Sequence, residues 1–86
     1  MTVYLMDEPF AEAGLAYARN DPGARVVLLQ DAVYLACKTG LQGRVYAVRD
    51  DVTRRGLTGS VVAGVEMIGY DKLVEMMENE RVVCFL

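Results

Sequence analysis

The sequence predicts a small α/β fold built on a mostly parallel sheet. Two observations lead there. First, Val26 to Leu29 is an apolar run without alternation, stopped by the polar pair Gln30-Asp31 and followed at once by an apolar-periodic segment. An unbroken short apolar run fits a strand buried on both faces. Second, the same unit recurs along the chain, and strands alternating with helices imply parallel βαβ units with right-handed crossovers.

Val3 to Met6 is the first apolar run, ended by Asp7-Glu8-Pro9, where Pro at the first helical position reads as a helix start. Phe10, Ala13, Gly14, Tyr17 and Ala18 then share one helical face, and Asn20-Asp21-Pro22-Gly23 closes the helix. After the Val26–Leu29 strand, Asp31 is placed as an N-cap, with Val33, Ala36 and Cys37 facing inward. Gly40 and Gly43 bracket the next loop. Val45 to Val48 is a third strand, Val52 to Arg55 makes a helical turn, and Gly56 fits its left-handed stop. Val61 to Gly64 is ambiguous between strand and loop. Val65 to Ile68 is a fourth strand, whose Glu66 suggests a position nearer the sheet edge. Tyr70, Leu73, Val74 and Met77 form a helical stripe, and Arg81 to Leu86 is a last strand.

The 86 residues make one domain, 1–86, the only sensible division. A domain of this size buries only about 60% of the surface its unfolded chain exposes, so its stability is small. An apolar fraction of 53% is rich for such a chain and implies apolar surface shared between subunits. Tyr34, Leu35 and Met76 fall outside the inward stripes and are the expected contacts for self-association. The net charge of −3 argues against broad binding to phosphate backbones. The absence of His removes the commonest metal ligand and general base, so no metal is expected. GxxxxGK and GxGxxG are also absent, and no cofactor is expected. The acidic N-terminus reads as no signal peptide, and no apolar run reaches the roughly 20 residues of a membrane span.

Ligands of such sheets sit beyond the carboxyl ends of the strands, which here carry Asp7, Gln30-Asp31 and Arg49-Asp50. All three are also capping positions, so capping is the first reading of these acids and binding the second. Asp50 and Asp51 are adjacent, so they point apart and make a poor acid/base pair. Arg54 and Arg55, with Gly56, Thr58 and Gly59, form a candidate anion-binding loop; the plain alternative is solvated surface. Cys37 and Cys84 are the candidate sulfur nucleophiles, which would need exposure and positive potential. For both, the plain alternative is a small packed apolar side chain.

Three blocks carry a family resemblance: VVLLQDAVYLA (Val26 to Ala36), VYAVRDDVTRRGLTG (Val45 to Gly59) and VEMIGYDKLVEMM (Val65 to Met77). With the N-terminal TVYLMDEPF and the apolar end, the chain resembles the TusB/DsrH family of sulfur-relay proteins over nearly its whole length. The resemblance implies a three-layer α/β/α fold with a mainly parallel sheet of four to five strands. It implies a cytoplasmic subunit assembling with TusC/DsrF-like and TusD/DsrE-like subunits into a heterohexamer. One branch relays sulfur toward 2-thiolation of the tRNA wobble uridine, an indirect link to tRNA; the other serves sulfur oxidation. The principal persulfide cysteine belongs to the TusD/DsrE-type subunit. Some DsrH-type members carry a Cys near the first helix, but here none precedes Cys37. That departure favours a non-catalytic subunit. The alternatives are a carrier using Cys37 or Cys84, and a homo-oligomeric module unrelated to sulfur.

Overall fold

The computed structural model describes residues 2–38 and 44–86. The loop expected between Gly40 and Gly43 lies outside the described residues. Five strands, β1 (Thr2–Met6), β2 (Arg25–Leu28), β3 (Arg44–Val48), β4 (Val65–Ile68) and β5 (Arg81–Phe85), form one sheet in the order β4-β3-β2-β1-β5. Every pairing is parallel. The helices are α1 (Ala11–Arg19), α2 (Arg49–Arg54) and α3 (Tyr70–Asn79), with a 3-10 helix over Gln30–Cys37 and a short one over Thr58–Ser60.

The strand order explains the layers. From β1 to β4 the sheet grows in one direction, and right-handed crossovers put every intervening helix on one face. There Ala11 and Ala18 of α1, Val33 and Ala36 of the 3-10 helix and Val52 of α2 pack on Tyr4, Met6, Leu28 and Ala47. The step from β4 to β5 reverses direction and carries α3 to the other face, where Leu73 and Met76 meet Val3, Leu5, Val27 and Ile68. The result is the expected three-layer sandwich. β4, with its exposed Glu66, is an edge strand as its wetter composition suggested.

Four local expectations are corrected. Helix α1 begins at Ala11, not at Pro9, and buries Ala11, Gly14 and Ala18. Its aromatics Phe10 and Tyr17 stay exposed, as does Ala13. The reason is close approach: a Cβ on Gly14 would stand 3.0 Å from Met6 Sδ. Only small residues fit beneath the helix, so the large ones move to its rim, and the Tyr17 ring lies 5.5 Å from that of Phe85. In α3 the buried pair is Leu73 and Met76, while Tyr70, Val74 and Met77 remain exposed. Leu35 and Met76 are both buried within the chain, which removes them as contacts between subunits; of the three residues named for that role, Tyr34 alone is exposed. Residues 61–64 form no strand.

The 3-10 helix gives the fourth correction. With three residues per turn, positions three apart fall in line. Ala32 and Leu35 form one buried row, and Val33 and Ala36 another. The outward row is Asp31, Tyr34 and Cys37, so Cys37 is half-buried beside exposed residues instead of turned inward. An α-helical period of 3.6 had aligned it with Val33.

Gly56 behaves as expected, with φ +68° after α2. Its N–H donates to the Thr53 carbonyl and that of Leu57 to the Val52 carbonyl, each at 3.0 Å. This is a Schellman stop, with Leu57 and Val52 in the same apolar cluster.

Candidate carboxyl-end site

Beyond the carboxyl ends of β1, β2 and β3 a charged network joins the 3-10 helix to α2. At its centre is Asp51, fully buried. Asp51 Oδ2 accepts from the Gln30 backbone N–H at 2.9 Å. Oδ1 accepts from Arg54 Nη1 at 3.3 Å, and Arg55 Nη1 stands 3.7 Å away. Arg55 then turns its Nε and Nη2 onto Asp31 Oδ1 at 3.1 and 3.0 Å. The Asp31 N–H donates in turn to Asp7 Oδ1 at 3.2 Å. Three strand ends are thereby tied together through side chains.

Asp31 is therefore not the cap it was expected to be. The N-cap position of the 3-10 helix is Leu29, with no side-chain cap bond. The Asp31 carboxylate is spent on Arg55 instead. Asp50 likewise makes no cap bond at α2, whose N-cap position is Val48. The two arginines of the candidate anion loop also part company. The Arg55 side chain is held in the network at 17% exposure, while that of Arg54 remains 65% exposed with one contact to Asp51. Of the two, Arg54 keeps the more exposed guanidinium.

Sequence reasoning passed over Asp51. A signal was present: Arg54 and Arg55 stand three and four residues after it, the spacing at which helical side chains meet. A helix of six residues is too short to show which of two adjacent acids faces inward.

Gln30 has φ +53°, a left-handed conformation that costs a non-glycine residue energy. Its exposed side chain is presented beside the network, while its N–H is locked onto Asp51. Backbone strain of this kind collects at functional sites. Gln30→Gly is expected to raise stability by about 0.5–1 kcal/mol in thermal or urea unfolding. A loss of stability would show that the positive φ stores no strain.

Neither cysteine belongs to this network: Cys37 closes the 3-10 helix, and Cys84 lies on β5 next to Phe85, whose carbonyl accepts from the Asp7 N–H. Cys37 ends the 3-10 helix, at the carbonyl end, where the negative pole of the helix disfavours a thiolate. Cys84 is exposed on the edge strand β5, contrary to the packed alternative. In dilute native protein Cys84 is expected to react with a maleimide well before Cys37, with mass spectrometry of the singly labelled species placing the adduct. A first adduct on Cys37 would contradict the packing of the 3-10 helix.

A separate polar contact ties the middle of β1 to the turn after α1. The Tyr4 hydroxyl donates to Asp21 Oδ2 at 3.0 Å, and burial, then that carboxylate, push the phenol above its usual value. Among the described residues no three His, Cys, Asp or Glu side chains are grouped to hold a metal ion. No helix among them is long and apolar enough to cross a membrane.

An all-parallel α/β sandwich whose strand ends are tied by carboxylates and guanidinium groups is thus the class of protein in hand. The family model for DsrH-like proteins matches residues 9–83. Protein TusB of Serratia proteamaculans (strain 568) is 35% identical over 71 residues, covering 69% of this chain and 70% of that protein. The chain belongs to the TusB/DsrH family, and its general role is in sulfur relay.

Proposed function

We propose that this chain is a non-catalytic subunit of a TusBCD/DsrEFH-type relay in the cytoplasm. It binds TusC/DsrF-like and TusD/DsrE-like partners and helps shape the groove where a partner's persulfide meets its acceptor. The destination of the sulfur is the tRNA wobble uridine or a sulfur-oxidation pathway. The observation that supports the passive role is the placement of the thiols: neither Cys37 nor Cys84 is a member of the charged network, and neither lies at a helix N-terminus. A thiolate carrier needs such a positive field. In this reading Gln30, Asp31 and Arg54 form the contact surface at the strand ends, and Arg55 holds Asp31 in place.

A second reading rests on the exposure of Cys84. In it, Cys84 itself takes the sulfane sulfur. Co-expression with TusC- and TusD-type chains tests the assembly. Co-purification in a fixed ratio is expected, and failure to bind either partner would defeat the proposal.

A further inference from the structure

We propose that the outward flank of α3 docks a basic amphipathic helix of one of the relay partners. The inference rests on the relay reading and deepens it by naming the surface and its occupant. A parallel sheet is ordinarily covered on both faces. Among the described residues, one face carries α1, the 3-10 helix and α2, and the other carries α3 alone. The outer strands of a five-stranded sheet stand about 19 Å apart, and a helix with its side chains is about 10–12 Å across, so α3 leaves much of its face open. On that face Tyr46 and Val82 are only half-buried.

The residues of α3 fall into three arcs. Leu73 and Met76 are buried against the sheet. At 100° per residue, Met77, Tyr70 and Val74 come next to Leu73 on one side, and all three are exposed. Beyond them on the same side come Glu78, Asp71 and Glu75, also exposed. The row 70, 74, 77 has the spacing of the anchors with which an amphipathic helix meets an apolar partner. An apolar row bordered by a charged row is also how one helix selects another.

Charge identifies the occupant. The last turn of α3 has no base. Acids there stand against the negative pole of the helix, so Glu78 destabilises the element that carries it. Among the described residues neither Asp71 nor Glu78 has a base within ion-pair distance, and Glu75 has only Lys72, at 3.9 Å. Nothing described in the chain offsets the acid row, and cations from outside would. A second copy packed α3 against α3 would bring the same acids face to face, and like charges across an interface repel. A helix with apolar residues at matching spacing, and Lys or Arg beside them, meets both rows at once. At the usual helix–helix distance of about 8–10 Å it also fills the open part of the face.

The test is calorimetric titration of this chain with whichever TusC- or TusD-type chain co-purifies with it. Glu75→Lys/Glu78→Lys should weaken binding about tenfold or more, because attraction becomes repulsion. The same variant should melt no lower than wild type, since bases suit that end of the helix. Val74→Asp should abolish co-purification while the chain stays folded by circular dichroism. Glu12→Lys, on the exposed side of α1, should change neither binding nor melting. Raising salt from about 0.05 to 0.5 M should weaken the wild-type complex and leave the double variant nearly unchanged. A photoreactive side chain in place of Val74 should cross-link to a partner segment with Lys or Arg at helical spacing. Full binding by both variants beside a binding wild type would overturn the proposal and leave the relay reading intact. So would binding lost in Val74→Asp yet indifferent to salt and charge reversal, or a cross-link to a second copy of this chain. A wild-type chain that binds neither partner type would overturn the relay reading, and this proposal with it.

Discussion

Asp51→Ala is expected to lower the stability of the chain by about 3–5 kcal/mol, measured by urea unfolding. Asp51 is fully buried and compensated by two guanidinium groups and one backbone N–H. Removing it leaves the largely buried Arg55 charge short of a partner and the Gln30 N–H without its acceptor, in a backbone conformation already strained. Against a total stability of roughly 5–15 kcal/mol for natural domains, that is a large share. The conservative Asp51→Asn keeps an acceptor for Gln30 and should lose less. An Asp51→Ala loss below about 1 kcal/mol would show that the network is ornamental to folding.

The second large effect separates the two arginines. Arg54→Glu is expected to change stability by no more than about 1 kcal/mol, since the Arg54 side chain is 65% exposed and its ion pair well solvated. The same change should slow sulfur transfer to the acceptor by about 10- to 100-fold. A charge-assisted hydrogen bond carries about 1.5–3 kcal/mol, and about 1.4 kcal/mol is tenfold in rate. Arg55→Glu should behave the other way and act first on stability, because the Arg55 guanidinium is bound to both Asp31 and Asp51. Equal loss of transfer in a stable Arg54→Ala variant would strengthen the contact assignment, and unchanged transfer in Arg54→Glu would remove Arg54 from it.

The strands were legible because a parallel strand covered on both faces must be apolar throughout. Val26–Leu29, Val45–Val48 and Val65–Ile68 each marked a strand to within a residue of its observed ends. The stop at Gly56 was legible because it depends on a conformation that glycine adopts freely. Helix facing was less so. In α1 the close approach at Gly14 reversed the usual preference for burying the larger side chains. In Gln30–Cys37 the change from 3.6 to three residues per turn moved Cys37 to a different row. Of the two polar residues that end the β2 run, Gln30 gives its N–H to Asp51 and Asp31 its carboxylate to Arg55. The acid that organises them, Asp51, looked no different from Asp50 until the fold turned one in and the other out. Long-range pairings such as Gln30 with Asp51 are set by tertiary contact, and local sequence carries no mark of them.

The central claim is that this chain supports sulfur transfer without holding the sulfur. The direct measurement is reconstitution with TusC- and TusD-type partners and a persulfide donor carrying labelled sulfane sulfur, with thiol-preserving mass spectrometry of every subunit. The account predicts label on the TusD-type partner and on the acceptor, none on Cys37 or Cys84, and unchanged transfer by the Cys37→Ser/Cys84→Ser double variant. Labelled persulfide on either cysteine, or a double variant that assembles normally and stops transfer, would contradict it.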